Sequence, residues 1–349
     1  MRVAIATVQV PFIWGGAEYL AAELQKALER AGHRAETVTI PFKWYPPERI
    51  PEHILAARLF DLTESCGIRV DLLIGLKFPA YCFHHPRKVL WILHQHRQAY
   101  DLWGTEYSDL HLSPQGDQVR EAIFKADNQY LREAVRVFTI SRNVSARLQR
   151  HNGITSTPLY HPCPHAEEFS CEAFEPYAFF PSRLDQMKRQ HLVIEAMRHV
   201  KTPLKLCLAG SAATPMYLEQ LQDLICRYRL EERVKIMHRV TEEEKRALYA
   251  RCRAVVFPPY DEDYGYVTLE ASYASKALIT CRDSGGPLEF AHDRDTGMVC
   301  DPTPEGLAEA MDYLGESEER AREMGKRARE AILAMGLSWE RVVKELTAL

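Results

Sequence analysis

The chain alternates between two apolar textures. "RVAIATVQV" is an apolar run of strand length. "PFIWGG" follows it, and then "AEYLAAELQKALERAGH", whose apolar positions fall at helical spacing until Gly32 stops the pattern. "RAETVTIPF" reads as the next strand. This β–loop–α–β opening is that of a doubly wound parallel sheet. "VDLLIGL" and "KVLWILH" continue as strands and "AIFKADNQYLREA" as a helix. "RVFTIS" is a strand that runs into the helix "RNVSARLQRHNG".

The texture then breaks. "ITSTPLYHPCPHAEEFSCEAFEPYA" holds Pro158, Pro162, Pro164 and Pro176 and shows no sustained period, which predicts an interdomain connection. Afterwards the alternation restarts with strand "AFFPSRL", helix "KRQHLVIEAMRHV", strand "LKLCLAGS", helix "PMYLEQLQDLICRYRL" and strand "RVKIMHRV". "TEEEKRALYARC" predicts a helix with Thr241 as N-cap and Glu244 completing a capping box. Strand "RAVVFPP", a further helix and strand "KALITC" follow, and the helix "SEERAREMGKRAREAIL" reads on past Gly336 into "SWERVVKELTAL". The expected architecture is α/β, with two doubly wound Rossmann-like domains at 1–163 and 164–336. Tandem domains of this kind present the carboxyl ends of their sheets to a cleft, the usual ligand site of open α/β sheets.

Composition narrows this picture modestly. A length of 349 residues suits two domains better than one core. Hydrophobic (46%) and charged (26%) fractions are those of an ordinary soluble globular protein. A net charge of −4 argues against a general nucleic-acid binder. Residues 1–163 hold 19 Lys/Arg against 16 Asp/Glu, and the remainder 25 against 32. The mildly basic first half suits an anionic acceptor or a membrane surface, and equally a plain scatter of exposed charges. Nine cysteines occur singly with no CxxC pair, as small apolar fillers in a reduced cytosol do. No apolar run reaches the ~18 residues of a membrane span. "MRVAIATVQVPF" reads as a strand without a signal-peptide pattern. A cytoplasmic protein is expected, with peripheral contact at the inner membrane face as an option.

Three loops that follow strands and open helices carry the candidate chemistry. In "PFIWGGAEYL", Gly15 and Gly16 remove side chains ahead of a helix, so that backbone N–H groups can approach an anion. A tight turn requiring φ > 0 is the plainer alternative. In "FFPSRLDQMKRQHLVIEA", Arg183 and Lys188 lie on either side of a strand-to-helix turn. Cations at a helix start oppose the macrodipole, so a diphosphate there would offset them. Solvated surface charges are the alternative. In "DEDYGYVTLEA", Glu262 and Glu270 are eight positions apart around Gly265. A helix starting near Gly265 leaves the amides of Tyr266, Val267 and Thr268 unpaired. Glu270 then lies ~7 Å further along the axis, so the two acids can hold different parts of one extended ligand. Helix-dipole preference explains Asp261, Glu262 and Asp263 but not Glu270, flanked by Leu269 and Ala271.

At this point the whole chain resembles the GT-B glycosyltransferases of family 4, the glycosyl transferases group 1, which are retaining enzymes. "EDYGYVTLEA" matches that family's E-x7-E pattern, and "PSRLDQMKRQHLVIEAM" its Arg-x4-Lys loop. "SGGPLEFAHDRDTGMVCDPTPEGLAEAM" is similar to its Gly-Gly-x-x-Glu stretch, and "GGAEYLAAELQKALERAGHRA" to its N-terminal Gly-Gly loop and helix. The resemblance implies that Arg183 and Lys188 neutralise the donor diphosphate, that Glu270 holds the ribose hydroxyls and that Glu262 contacts the transferred sugar. It implies that Gly15 and Gly16 approach the diphosphate and that a histidine of "WILHQHRQAYDLW" lies near the anomeric centre. His94, first to follow the apolar "VLWIL", is the choice over His96, and a purely structural role is open for either. Arg97, Tyr100, Asp101, Ser141 and Arg142 are expected to line the acceptor pocket. "AGS" keeps the expected Gly210, whereas His238 stands where the family often has glycine, which loosens the base contacts expected at Arg239 and Val240. No metal is implied, and "DED" at 261–263 only superficially resembles the metal-binding Asp-x-Asp of the other major transferase fold. The terminal helix, about 337–349 with Trp339, is expected to return onto the first domain.

The expected reaction is therefore metal-independent sugar transfer, with retention, from a nucleotide diphosphosugar to a glycan, glycolipid or small-molecule hydroxyl, with UDP-sugar preferred over GDP-sugar on family frequency alone. Charge on the leaving diphosphate would be stabilised by Arg183, Lys188 and the helix start at Gly265–Val267. A sugar-nucleotide epimerase or hydrolase, or a non-catalytic nucleotide-sugar-binding protein, is the alternative. No nucleic-acid partner is expected.

Overall fold

The computed structural model describes residues 1–12 and 15–348. The chain divides into two compact units, Met1–His161 with Ser338–Leu349, and Pro162–Leu337.

The first unit runs β1 (Arg2–Gln9), α1 (Gly16–Arg30), β2 (Arg34–Pro41), α2 (Ile50–Leu59), a small antiparallel pair β3 (Glu64–Ser65) and β4 (Ile68–Arg69), β5 (Leu72–Lys77), β6 (Lys88–His94), α3 (Gly116–Tyr130), β7 (Arg136–Thr139), α4 (Arg142–Asn152) and β8 (Thr157–Pro158). Its sheet has the order β2-β1-β5-β6-β7-β8, all parallel. Parallel strands are covered on both faces, so they read as continuous apolar runs rather than alternations. Leu72, Leu73 and Ile74 of β5 and Val89, Leu90, Trp91 and Ile92 of β6 are accordingly all fully buried.

The second unit runs β9 (Glu175–Pro181), α5 (Gln190–Ala196), β10 (Lys205–Ala209), α6 (Pro215–Arg227), β11 (Val234–Met237), α7 (Glu242–Arg251), β12 (Cys252–Val256), α8 (Tyr266–Tyr273), β13 (Leu278–Cys281), β14 (Gly297–Cys300), α9 (Pro304–Gly315) and α10 (Glu318–Ala334). Its parallel order is β11-β10-β9-β12-β13-β14. The chain winds outward from β9 in one direction, then restarts at β12 in the other. The reversal between β9 and β12 is a topological switch point, the position at which open α/β sheets bind ligands. The capping box at α7 is present: Thr241 Oγ1 accepts from the Glu244 amide at 3.1 Å, and Glu244 accepts from the Thr241 amide at 2.7 Å.

The last helical stretch is split. Gly336, at φ 57°, ends the run after α10, and Ser338 caps a separate helix α11 (Trp339–Thr347). Left-handed φ is cheap for glycine and costly for other residues, which is why the break falls there. α11 belongs to the first unit. Trp339 lies 6.2 Å from Trp91 and 6.3 Å from His161, ring to ring, and Arg136 pairs with Glu345 at 3.2 Å. Residue 349 of the expected helix lies outside the described residues. Among the described residues no helix is long and apolar enough to cross a membrane.

Candidate functional site

In the second unit the loops after β9, β12 and β13 are laced together at the switch point by backbone bonds. The Tyr260 amide donates to Met187 O at 2.8 Å, the Asp261 amide to Asp283 O at 2.9 Å and the Glu262 amide to Ser284 O at 2.9 Å. The Gly286 amide returns a bond to Glu262 O at 2.7 Å. Side chains then cross the same seam. Lys188 Nζ donates to Glu262 Oε2 and sits 5.5 Å from the centre of the Phe257 ring. Arg189 grips Asp283 with both terminal nitrogens, at 2.6 and 2.9 Å. Two non-glycine residues of the seam are left-handed, Arg189 at φ 60° and Asp261 at φ 44°. Such backbones cost of order 1 kcal/mol each and persist where their surroundings impose them.

Arg183 differs from Lys188. Its side chain is 57% exposed and pairs with Asp185 at 3.0 Å. Neither cation stands at the start of α5 in the expected way. Asp185 caps a short 3-10 turn over Gln186–Lys188 by accepting from the Met187 amide at 3.0 Å, and α5 begins only at Gln190.

Gly265 is the N-cap of α8, at φ 88°. A Cβ there would meet the Pro287 ring at 3.2 Å and Phe257 at 3.4 Å, so both conformation and space favour glycine. One expectation needs correction. The Thr268 amide is not left over, because it donates to Gly265 O at 2.9 Å in a tightened first turn. Its hydroxyl is instead a buried polar atom without a hydrogen-bond partner among the described residues. Tyr266 packs edge-on to Tyr264 with ring centres 5.9 Å apart.

Glu270 projects from the second turn of α8 toward α7. Tyr249 Oη donates to Oε2 at 2.6 Å and Lys245 Nζ to Oε1 at 3.2 Å. Burial pushes the Lys245 ammonium down, but Glu270 and Glu242 outweigh it and hold the pKa above the ordinary lysine value. Burial, and next the Glu270 charge, push the Tyr249 phenol well up, so it stays a donor. Glu270 is thus fixed in one orientation with lone pairs left over on both oxygens.

Other residues expected at the donor site have structural demands of their own. Gly210, at φ 156°, passes so close to Ser182 that a Cβ would stand 2.0 Å from its carbonyl oxygen. Arg239, left-handed at φ 54°, is exposed and Val240 half-exposed, in the turn before Thr241.

In the first unit Gly15 is the N-cap of α1 with extended backbone, φ −146°, so the tight-turn alternative does not apply. Its amide donates to Glu18 Oε2 at 2.8 Å, and Gly16 is the first helical residue. The two histidines after β6 part company. His94 is half-buried, and its Nδ1 donates to Gln95 O at 2.6 Å. His96 is buried with Phe78 at 5.3 Å and Phe42 at 6.1 Å, and burial, then the nearby His94, lower its pKa to about 3. Arg97 pairs with Asp101 at 2.6 Å, and Arg147 approaches the same carboxylate at 3.8 Å.

Two of the expected acceptor residues are placed elsewhere. Tyr100 is 4% exposed, stacks 4.4 Å from Phe124 and donates to Asp127 Oδ2 at 2.7 Å, which makes it a core residue. Ser141 is fully buried and caps α4, its Oγ accepting from the Val144 amide at 3.1 Å. Adjacency to a strand end brings the backbone to the sheet's edge but does not set where a side chain points. Arg142, next in sequence, is exposed and lines a shallow pocket of about 300 Å³ with Ser145, Gln149 and Ser156. The residue that sequence reasoning passes over is Asp127. It is fully buried on α3 and accepts from Tyr81 at 3.0 Å, Tyr100 at 2.7 Å and Gln95 at 3.3 Å. Burial raises its pKa to about 6 against those three hydrogen bonds.

Residues 170–331 match the family model described as Glycosyl transferases group 1, just under half of the chain. The chain is 32% identical over 130 residues to alpha-1,3/1,6-mannosyltransferase ALG2 of Dictyostelium discoideum, covering 36% of this chain and 31% of that one. It is 27% identical over 145 residues to O-antigen chain mannosyltransferase C of Escherichia coli, covering 41% and 38%. The chain therefore spans about a third of the length of these curated relatives. Among solved structures it is similar to sucrose-phosphate synthase of Thermosynechococcus elongatus, with TM-score 0.77, 19% identity and coverage of 99% and 97%. It is also similar to Anabaena Alr3699/HepE in complex with UDP-glucose, with TM-score 0.69, 16% identity and coverage of 99% and 98%. The fold is GT-B, and residues 170–331 match the glycosyl transferases group 1 model.

Proposed function

We propose that this protein is a retaining glycosyltransferase that moves a sugar from a nucleotide diphosphosugar to a hydroxyl acceptor without a divalent metal. The observation that carries the reading is the arrangement of Lys188, Glu262, Gly265 and Glu270 at the switch point of the second unit. There a cation, the Glu262 carboxylate and a helix start are contributed by loops bonded to one another, and Glu270 lies in the second turn of that helix. An incoming diphosphate takes charge from Lys188 and Arg183 and from the first amides of α8, with the buried Thr268 hydroxyl beside them. Glu270, oriented by Tyr249 and Lys245, accepts from the ribose hydroxyls, and Glu262 from hydroxyls of the sugar. Cleavage of the anomeric C–O bond leaves the electron pair on the diphosphate. The same cations that bind the ground state meet the larger charge developing there.

Gly210, Arg239 and Val240 are assigned to the base side of the donor, and Gly15 and Gly16 to the diphosphate. His94 is assigned to the anomeric centre. Arg97, Asp101 and Arg142 are assigned to a glycan, glycolipid or small-molecule acceptor. A uridine donor is favoured by the UDP-glucose held in the HepE structure. Mannosyl transfer is favoured by the relatives named above.

The test is turnover of UDP-glucose and GDP-mannose in EDTA, with and without a panel of glycan and lipid-linked acceptors. Acceptor-dependent release of nucleoside diphosphate, with product of the donor's anomeric configuration by NMR, supports the proposal. Release without any acceptor points to a hydrolase or epimerase, and inverted product or strict dependence on Mg²⁺ overturns the mechanism.

A further inference from the structure

We propose that Cys281 and Cys300 form an oxidisable dithiol that closes to a disulfide between the ends of β13 and β14. The two residues are direct partners in the parallel register of these strands, and their sulfurs lie 4.0 Å apart. Neighbouring strands run ~4.8 Å apart, inside the 4.4–6.8 Å Cα separation a disulfide spans. Closing the pair to the ~2.05 Å S–S bond therefore needs about 2 Å of sulfur movement by side-chain rotation, without rebuilding the sheet. Nothing strong holds the sulfurs in their present rotamers. Cys300 Sγ contacts Thr280 O at 3.3 Å, and Cys281 Sγ contacts Asp301 O at 3.8 Å.

The pair is also asymmetric in the manner of a two-step exchange. β14 is the edge strand of its sheet and Cys300 is half-buried, whereas Cys281 is fully buried. A small oxidant reaches Cys300 first. With oxidised glutathione, the Cys300 thiolate attacks one glutathione sulfur, a mixed disulfide forms, and one glutathione leaves carrying the proton Cys300 gave up. Cys281 then attacks Cys300 Sγ, the protein disulfide forms, and the second glutathione leaves with the proton of Cys281. Two electrons pass from the protein thiols to the oxidant. Contact with Cys300 first, and burial second, hold the Cys281 thiol protonated.

The position gives the modification a consequence. Cys281 leads straight into the loop that braces the candidate donor site. Its amide donates to Ser284 Oγ at 3.1 Å, Ser284 O accepts from the Glu262 amide, and Asp283 is gripped by Arg189. Closing the bond tethers Cys281, the residue ahead of that loop, to the edge strand and restricts how far the loop can adjust to a ligand. This consequence, unlike the bond itself, rests on the transferase reading.

The experiment treats the full chain with oxidised or reduced glutathione, alkylates what remains and maps peptides without reduction. A linked Cys281–Cys300 peptide lacking the mass of two hydrogens, absent from the Cys300→Ser variant, is expected. The exposed Cys66, Cys171 and Cys226 report that the oxidant acted. If these carry glutathione while Cys281 and Cys300 are recovered alkylated or as separate adducts, the proposal is overturned. In the second arm, the linked protein loses most of its UDP-induced rise in Tm, and Cys281→Ser protein given the same treatment keeps it. An unchanged rise in the linked protein overturns the coupling to the donor loop. Because the first arm reads sulfur chemistry alone, its failure is distinct from a failure of the transferase reading.

Discussion

Lys188 and Glu262 are in direct contact, although 74 positions separate them in sequence. Each is about one-fifth exposed, and together they join the loop after β9 to the loop after β12. On the proposed reading, the cation assigned to the diphosphate and the carboxylate assigned to the sugar already neutralise one another. A diphosphate bound there would share the Lys188 ammonium with Glu262, since the ammonium has three donors. Lys188→Ala is expected to lower kcat/KM by roughly two to three orders of magnitude, the scale for removing one transition-state donor. Steady-state kinetics check this, and near-normal turnover would remove Lys188 from the mechanism.

Glu270 owes its orientation to α7. Tyr249→Phe removes the 2.6 Å bond to Oε2 and leaves volume nearly unchanged. A net hydrogen bond of ~0.5–1.5 kcal/mol corresponds to roughly a 2–13-fold weaker nucleotide, so Kd by calorimetry should rise by about that much. Glu270→Gln should weaken nucleotide binding more, because the charge as well as the orientation is lost.

Gly210 and Gly15 should respond differently to a methyl group. Gly210→Ala drives a Cβ into the Ser182 carbonyl at 2.0 Å, whereas among the described residues Gly15→Ala meets the Glu18 carboxylate at 3.5 Å. Overpacking of this kind costs about 1–3 kcal/mol, so Gly210→Ala should lose several degrees in Tm and Gly15→Ala much less. Thermal unfolding without ligand decides it, and equal Tm values for the two variants would contradict the packing argument.

Two buried groups of the first unit should give opposing pH dependences. The folded-state pKa of Asp127 is raised to about 6 from the ordinary 3.8, so its contribution is full below about pH 4 and lost as pH rises through 6. That is roughly 3 kcal/mol at 1.36 kcal/mol per pKa unit. The pKa of His96 is lowered to about 3 from 6.5, so its contribution is present above pH 6.5 and lost as pH falls toward 3. Urea unfolding between pH 4 and 7 should therefore show Asp127→Asn gaining stability relative to wild type as pH rises. His96→Phe should gain relative to wild type as pH falls. Flat difference profiles would contradict both assignments.

Legibility in the sequence followed the range of the interactions. The Thr241–Glu244 capping box is local and readable as such, as is the start of α8 at Gly265. Continuous apolar runs announced the buried parallel strands. The amphipathic period resumes after Gly336, so the helical pattern reads on through it even though the domain boundary is placed there, and its φ of 57° separates α10 from α11. α2, short, with Pro51 in its first turn and a 3-10 turn over Pro47–Arg49 ahead of it, gives no long period to read. The misplacements of Tyr100 and Ser141 arose because sequence adjacency fixes backbone position and not side-chain direction. Asp127 was invisible for a related reason. An acid on an amphipathic helix reads as surface until Tyr81, Tyr100 and Gln95, from other elements, are seen to converge on it.

The central claim is that the second unit binds a nucleoside diphosphate through Glu270 and Lys188 without metal. Thermal unfolding with UDP, GDP, ADP and dTDP, in EDTA and then in Mg²⁺, tests it most directly, with Glu270→Gln alongside. A ligand at ~100 times its dissociation constant stabilises by about 2.7 kcal/mol, enough to move Tm visibly. The account predicts a rise with one nucleotide in EDTA, unchanged by Mg²⁺ and much reduced in Glu270→Gln. No rise with any nucleotide, a rise that requires Mg²⁺, or one undiminished in the variant would contradict it.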